Sequence, residues 1–194
     1  MSRYWMMTAL ALALAAPTAA QADEYSFDVN EKFVNISFIS EMDIEDILGT
    51  SNKVSGAVDL TKGTFSITVP VASLKTGIDM RDEHLRSEMW LDAKNNPDLV
   101  FKGSKIDDLG GGKYKFSGTF SARGKARDLA VVVDLKKIPG TKAAKFGLGD
   151  KDAIRVRGEF TLKLSDFGIQ IPGMAAAKVN DEWTVKISLF GTGL

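Results

Sequence analysis

Cysteine is absent from the 194-residue sequence, and histidine occurs only once, as His84. The lack of thiols excludes disulfide bonds, thiolate metal sites, Fe–S clusters and cysteine nucleophiles. A lone histidine also excludes zinc or copper sites built from several imidazoles. We therefore expect no metal site and no required cofactor.

An excess of charge of either sign is also missing, as is a long apolar segment in the later part of the chain. The 25 lysines and arginines balance 25 acidic residues, which gives no support to a nucleic-acid or anionic-membrane partner. Beyond the start of the chain, no run approaches the ~18 consecutive apolar residues of a spanning helix. We expect no nucleic-acid partner and no stable membrane insertion.

The first residues have the layout of an export signal. Arg3 supplies an early positive charge, an apolar run extends over 6–16, and Ala20-Gln21-Ala22 is a small-x-small cleavage site. These features predict a secretory signal peptide over 1–22 that is cleaved after Ala22. The remaining residues, 23–194, suit a single domain with a hydrophobic core.

Apolar and polar residues alternate through most of the rest of the chain. In residues 153–165, for example, Ile154, Val156 and Phe160 alternate with polar or charged residues. A period of two gives each strand one buried and one solvated face, as in an antiparallel sheet. A sheet with few helices to cover its apolar face must close on itself. The sequence predicts an all-β fold, an extended antiparallel β-barrel of eight to ten strands.

Three glycines interrupt the rows of residues that should point into the barrel: Gly56, Gly118 and Gly158. They either let strands bend tightly, as closed barrels require, or they thin the interior and leave a lumen. An eight-stranded barrel is about the size that either fills with side chains or holds one small ligand. The sequence leaves both interpretations open.

One stretch, TGIDMRDEHLRSEMWLD at 76–92, has a different period. Leu85 and Met89 lie one helical turn apart with Trp90 beside them, which predicts one short helix near residues 80–90. Asp79 is the expected N-cap of this helix.

The same stretch opens a longer signature. It contains a T-G-x-x-x-R-D-x-H-L-R-S run, an aromatic-Leu-Asp step, a proline and an F-K-x-S strand. The residues that carry this signature are Thr76, Gly77, Arg81, Asp82, His84, Leu85, Arg86, Ser87, Trp90, Leu91, Asp92, Pro97, Phe101, Lys102 and Ser104. With two further blocks at 112–135 and 162–169, the chain resembles the YceI-like family of periplasmic lipid-binding proteins. Arg123 stands where members usually carry a histidine.

The resemblance implies a lipocalin-like barrel around an elongated apolar channel, with a long-chain lipid as its ligand. The ligand would be a polyprenyl chain, an isoprenoid quinone or a fatty amide, carried or transported in the periplasm without catalysis. Whether the protein forms a homodimer is left open. The predicted channel-lining residues are Phe38, Met42, Phe65, Ile67, Leu85, Met89, Trp90, Phe120, Phe160, Phe167, Ile169 and Trp183.

Four polar residues of the signature, Arg81, Asp82, His84 and Arg86, allow three interpretations. His84 could be the general base of an enzyme that acts on a lipid. The arginines and His84 could instead bind a head group at the pocket mouth. In the interpretation we favour, Arg81, Asp82 and Arg86 pair with one another and with loop carbonyls, and so form a structural latch that holds the helix over one end of the barrel. A different class, a small outer-membrane barrel with an outward apolar face, is the remaining alternative.

Overall fold

The computed structural model describes residues 23–28 and 31–194. The predicted signal peptide and its cleavage site at Ala22 lie outside the described residues. Within them the chain forms ten strands and two α-helices. The strands are β1 (Glu24–Ser26), β2 (Asn35–Ser40), β3 (Ile47–Ser51), β4 (Ser55–Asp59), β5 (Thr64–Pro70), β6 (Asp98–Gly110), β7 (Lys113–Ala122), β8 (Lys125–Ile138), β9 (Ala153–Lys163) and β10 (Glu182–Gly193). The helices are α1 (Asp79–Arg86) and α2 (Gly140–Ala143), and 3-10 helices span Glu31–Phe33, Val71–Ser73, Ala144–Phe146 and Leu164–Phe167.

All ten strands belong to one antiparallel sheet in the order β1-β4-β5-β6-β7-β8-β9-β10-β2-β3, and β1 also pairs with β10. One edge of β10 pairs with β9, and the other pairs with β2 over its first half and with β1 at its end. The segments β1–β2 and β3–β4 thus act as two interrupted strands of a closed eight-stranded barrel. The predicted antiparallel barrel with one short helix near its signature stretch is confirmed.

The barrel interior contains two apolar clusters. We call the first the packed end; its buried side chains include Phe27, Phe65, Phe116, Val131 and Ile154. We call the second the mouth end; its buried side chains are Phe38, Ile47, Val71, Leu74, Leu85, Leu91, Leu164, Ile169 and Val179. The mouth end is covered by α1, by the turns that follow it and by the connection between β9 and β10.

The glycines of the inward rows let backbones approach closely. A Cβ added to Gly118 would lie 2.3 Å from the carbonyl oxygen of Lys102 and 2.9 Å from the Cα of Gly103. At Gly56 the backbone has φ +117°, and a Cβ would lie 2.0 Å from the carbonyl oxygen of Ser66. These glycines therefore serve tight strand bending, the first of the two interpretations, because a side chain there would collide with backbone.

Helix α1 ends earlier than predicted, at Arg86, and its N-cap is Ile78 without a side-chain cap bond. The prediction of Asp79 as N-cap was wrong, because Asp79 is already the first helical residue. After Arg86 the chain turns instead of continuing: the backbone N–H and the hydroxyl of Ser87 both donate to the carbonyl oxygen of His84, at 3.0 and 2.7 Å.

Candidate functional site

A cavity of about 140 Å³ lies inside the barrel where the packed end meets the mouth end. Every residue that lines it is apolar. The lining consists of Ile36, Phe38, Ile67, Val69, Leu74, Leu91, Leu99, Phe101, Phe120, Ala122, Phe160, Leu162, Leu164, Phe167, Ile169, Trp183, Val185, Ile187 and Leu189. Such a cavity offers no hydrogen bond from a side chain, so only an apolar group suits it.

A second, wider pocket of about 610 Å³ opens at the surface above α1. Its lining mixes apolar and polar residues from three segments: Phe38, Glu45 and Ile47; Thr76, Ile78, Met80, Arg81, His84, Leu85, Ser87, Met89 and Trp90; Pro172, Met174, Ala175, Lys178, Val179 and Trp183. We call this space the mouth pocket.

Two aromatic side chains, Phe38 and Trp183, line both the cavity and the mouth pocket. Their rings stack with centroids 4.8 Å apart and an interplanar angle of 3°. Because they face both spaces, they form the partition between them. The interior therefore contains a cavity and a mouth pocket that meet at this aromatic pair.

Neighbouring residues fix both rings of this partition. Phe38 lies across from Gly49 in the β2–β3 register, and a Cβ on Gly49 would lie 1.9 Å from the Phe38 Cζ atom. Trp183 donates its indole N–H to the carbonyl oxygen of Asn180 at 2.9 Å. Asn180 in turn donates its backbone N–H to the hydroxyl of Ser40 at 2.8 Å. Both aromatic positions thus depend on the contact between the ends of β2 and β10.

A buried carboxylate attaches α1 to the barrel. Asp82 is 1% exposed, and its Oδ1 accepts bonds from both the backbone N–H and the hydroxyl of Thr76, each at 2.7 Å. Lys75 lies 3.6 Å from its Oδ2. Burial by itself raises the pKa of Asp82, but the bonds from Thr76 and the charge of Lys75 outweigh it and lower the pKa below its usual value.

Sequence comparisons identify the family to which this fold belongs. The YceI-like domain model matches residues 25–190, nearly all of the described chain. The chain belongs to the YceI-like family. A UPF0312 protein of Vibrio parahaemolyticus is 28% identical over 182 residues, which cover 91% of this chain and 93% of that protein. A UPF0312 protein of Shewanella putrefaciens is 25% identical over 197 residues, with 96% and 98% coverage.

Solved structures show the same fold. Burkholderia cenocepacia BcnA is 26% identical with a TM-score of 0.70, and the match covers 85% of this chain and all of BcnA. A polyisoprenoid-binding domain from Saccharophagus degradans, implicated in plant cell wall breakdown, has a TM-score of 0.66 at 16% identity, covering 89% of this chain and 99% of that one. The YceI-like barrel is thus shared across divergent sequences.

In this YceI-like chain, both arginines of the signature bond to backbone carbonyls, as the predicted latch requires, but they do not pair with Asp82. Arg81 donates to Glu45 at 3.1 Å and to the carbonyl oxygen of Thr76 at 3.0 Å. Arg86 donates to the carbonyl oxygen of Ala72 at 3.3 Å. The predicted mutual pairs are wrong because Asp82 is directed inward to Thr76 and Lys75, out of reach of either arginine.

Arg123 is a structural residue that the sequence reasoning missed. It occupies the tight turn between β7 and β8 with φ 49°, beside Gly124 with φ 68°. Its guanidinium donates to the carbonyl oxygen of Gly168 at 2.8 Å and to that of Glu88 at 3.0 Å. It therefore joins the turns after α1 to the β9–β10 connection. The sequence signal was the Arg-Gly pair between two alternating runs, which is typical of a two-residue hairpin turn.

Most predicted lining residues lie around the two spaces. Phe38, Ile67, Phe120, Phe160, Phe167, Ile169 and Trp183 line the cavity, whereas Leu85, Met89 and Trp90 line the mouth pocket. Two predictions of position were wrong. Phe65 is buried in the packed end against Phe116, and Met42, in the loop before β3, lines neither space. Whether any of these residues contacts a lipid stays a prediction.

Among the polar residues predicted at the mouth, Arg81 and His84 line it, while Asp82 and Arg86 do not. Within residues 23–28 and 31–194, no group of three or more histidine, cysteine or acidic residues is placed to hold a metal ion. No helix among the same residues is long and apolar enough to cross a membrane.

Proposed function

We propose that this YceI-like protein is a periplasmic carrier that sequesters the tail of a long-chain lipid, without catalysis. The lipid would be of the polyprenyl, isoprenoid quinone or fatty amide type. The observation that carries the proposal is the cavity inside the barrel with a wholly apolar lining. The polyisoprenoid-binding domain of Saccharophagus degradans, which has the same fold, supports the ligand class.

Burial of the tail supplies the binding free energy. An apolar chain gains about 0.8 kcal/mol for each CH₂ group removed from water. No polar side chain in the cavity would form a hydrogen bond with a head group, so binding depends on apolarity and shape. This accounts for a site that can accept several long-chain lipids.

The cavity volume limits how much of the tail the cavity can hold. Space of about 140 Å³ is comparable to the engineered cavity of ~150 Å³ that holds one benzene. A longer tail must therefore also occupy the mouth pocket, whose volume is about 610 Å³. A chain held in both spaces would pass the stacked rings of Phe38 and Trp183.

A polar head group would then remain in the mouth pocket. Arg81 already has two partners, Glu45 and the carbonyl oxygen of Thr76, which supports a structural role for it. His84 and Lys178 line the same pocket. We assign the contact with a head group to these two side chains.

The surroundings of His84 support carriage over catalysis. A histidine base is normally oriented by a hydrogen-bond partner on its second nitrogen. Neither imidazole nitrogen of the exposed His84 has a hydrogen-bond partner among the described residues. The apolar rows also face inward while charged residues such as Arg157 and Lys186 face solvent, opposite to an outer-membrane barrel.

The direct test is to release the protein by osmotic shock and identify the bound lipid. Native mass spectrometry of that preparation should show added mass, and solvent extraction should yield a long-chain lipid. A delipidated sample should then take up a long-chain polyprenol, a quinone with a similar tail or palmitamide. Failure to take up all three, or release only by detergent, would contradict the proposal.

A blocked cavity gives the matched variant. Val185→Phe places a ring in the cavity, and we expect polyprenol affinity to fall by roughly tenfold or more. Val132 is on the outer face of β8 and 47% exposed, so Val132→Phe should bind as the unmodified protein does. Circular dichroism checks folding, and Ala122→Leu is the second blocking variant. Equal uptake by the blocking and control variants would exclude the cavity as the site.

A further inference from the structure

A third pocket lies on the outer wall of the barrel, away from the mouth. It has a volume of about 560 Å³ and forms between the outward faces of β8, β9 and β10, the 3-10 helix Glu31–Phe33 and the segment 139–149. Its lining consists of Lys32, Phe33, Val34, Asn35, Lys136, Ile138, Lys142, Phe146, Leu148, Arg155, Ser188 and Phe190. On β10, Phe190 faces this pocket while its neighbour Leu189 lines the inner cavity.

The ionisable residues of this outer pocket are all cationic. Four lysine and arginine side chains line it, and no aspartate or glutamate of the described chain does. Lys136, Lys142 and Arg155 have no carboxylate within 4.0 Å among the described residues. Elsewhere on the outer wall, Lys186 pairs with Glu159 at 3.4 Å. Among the described residues, the positive charges of Lys136, Lys142 and Arg155 are thus not neutralised by an ion pair.

Arg155 is the most constrained of these cations. It is half-buried, its guanidinium lies 5.3 Å from the centre of the Phe190 ring, and Nη2 donates only a long bond, 3.4 Å, to the hydroxyl of Ser188. Its Nε atom is buried with no hydrogen-bond partner in the described residues. Burial and the nearby charge of Arg157 lower the pKa of Arg155. A cation desolvated in this way is stabilised when an anion occupies the adjacent space.

The rest of the pocket is apolar. The rings of Phe33 and Phe190 pack at 5.5 Å, and Phe146 extends from the segment 139–149 with 58% of its surface exposed. Ile138 and Leu148 complete this surface. A small inorganic anion would leave these groups in contact with water, whereas an anion that carries an apolar chain or ring would cover them.

We propose that the outer pocket is a second binding site, for a small amphiphilic anion whose carboxylate or phosphate meets Arg155 and Lys142. The apolar part of the ligand lies against Phe33, Phe146 and Phe190. This site is separated from the lipid cavity by the barrel wall, so it stands whether or not the cavity carries a lipid.

The test compares octyl phosphate, octanoate, octanol and inorganic phosphate in binding to the full mature chain. Calorimetry gives affinities, and amide chemical-shift mapping gives the location. We expect either octyl anion to bind at least roughly tenfold more tightly than octanol or phosphate, since one charge-assisted bond accounts for such a factor. Which octyl anion binds better identifies the head group. The amides of Phe33, Phe146, Arg155 and Ser188 should shift.

Arg155→Gln should weaken octyl anion binding roughly tenfold or more. Arg127→Gln, an exposed arginine near the other end of β8, is the matched control and should leave it unchanged. If Arg155→Gln does not fold by circular dichroism, Lys142→Gln, an exposed residue of α2, tests the same site. Equal affinity for octanol, equal affinity for inorganic phosphate, shifts confined to the cavity lining, or full affinity in both variants would each overturn the proposal.

Discussion

The packed end and the mouth end of this barrel differ in how the same strands fill their interior. In the packed end, the Phe65 ring lies 4.8 Å from Phe101 and 5.1 Å from Phe116, tilted against both. In the mouth end, Phe120 meets Phe167 edge-on at 5.5 Å, and about 140 Å³ remains open beside them. Tilted aromatic packing fills one half, while the other keeps a void.

The backbone explains the difference. Near the packed end, Gly103 and Gly118 are so close that a Cβ on either would lie 2.9 Å from a Cα atom of the other, so β6 and β7 bend sharply there. At the mouth end, α1, the turns after it and the β9–β10 connection cover the opening, and we call these segments the roof. Leu85, Leu91 and Ile169 of the roof are buried in the mouth end. These segments cover this end of the barrel, but their side chains do not fill the cavity. The cavity is therefore bounded mostly by strand residues, and Leu91 and Ile169 of the connections border it on the mouth side.

The largest effect should come from truncating the filled half. Phe116 is 5% exposed, so Phe116→Ala should lower the free energy of unfolding by about 3–5 kcal/mol. Phe160 is only partly buried and borders the cavity, so Phe160→Ala should cost less, about 1–2 kcal/mol. Urea unfolding followed by circular dichroism measures both. Equal losses would show that the two ends are equally well packed.

The second prediction concerns the roof. Removing the carboxylate in Asp82→Ala leaves the Thr76 donors without their acceptor, and we expect a loss of about 2–3 kcal/mol. Asp79→Asn changes an exposed acid on the same helix and should stay within about 0.5 kcal/mol. A cost at Asp82 no greater than at Asp79 would mean that this carboxylate does not hold the roof.

The same carboxylate predicts a pH dependence. Because the pKa of Asp82 is lowered in the folded protein, its stabilising contribution is complete above the unfolded value of about 3.9. It is lost as pH falls through the lower, folded pKa. The difference in stability between the unmodified protein and Asp82→Ala should therefore shrink as the pH is lowered from about 5 towards 3. A difference that is constant over this range would assign it to packing instead.

A smaller effect should follow from disturbing the partition. Gly49→Ala would place a methyl group against the Phe38 ring, which must then move away from Trp183. We expect a cost of about 1–2 kcal/mol and a change in the near-ultraviolet circular dichroism of the tryptophan. Gly173, with open space around it, gives the control Gly173→Ala. An unchanged aromatic spectrum in Gly49→Ala would show that the stack does not depend on this glycine.

The architecture was predictable because alternation is a local property. Residues such as Ile154 and Val156 show the inward face of β9 in sequence alone, and the barrel followed from such runs. The helix near residue 80 followed from the one-turn spacing of Leu85 and Met89. The seven predicted lining residues that border the cavity are all in strands or beside the turn at Asp166-Phe167-Gly168. A period of two shows which side chains point into the barrel. It does not show how far along the barrel axis each side chain lies.

Phe65 and Phe120 differ in their depth along the barrel axis. Both alternate correctly and both point inward, but one is packed against Phe116 and the other borders the void. Their difference depends on strand register and on the roof, which bring together residues far apart in the chain. The bonds from Arg123 to the carbonyl oxygens of Gly168 and Glu88 also join residues far apart in the chain. No local pattern shows which carbonyl oxygens an arginine in a turn will reach.

The smallest expected effect concerns His84, and it tests whether the mouth pocket is an entrance or a catalytic site. His84 is exposed at the rim of the mouth pocket, so His84→Ala should change the free energy of unfolding by less than about 0.5 kcal/mol. Because the tail supplies most of the binding free energy, polyprenol affinity should change less than in Val185→Phe. Mass spectrometry of polyprenol incubated with the unmodified protein should return the same lipid. A converted lipid whose formation disappears in His84→Ala would make the mouth a catalytic site and would end the carrier interpretation.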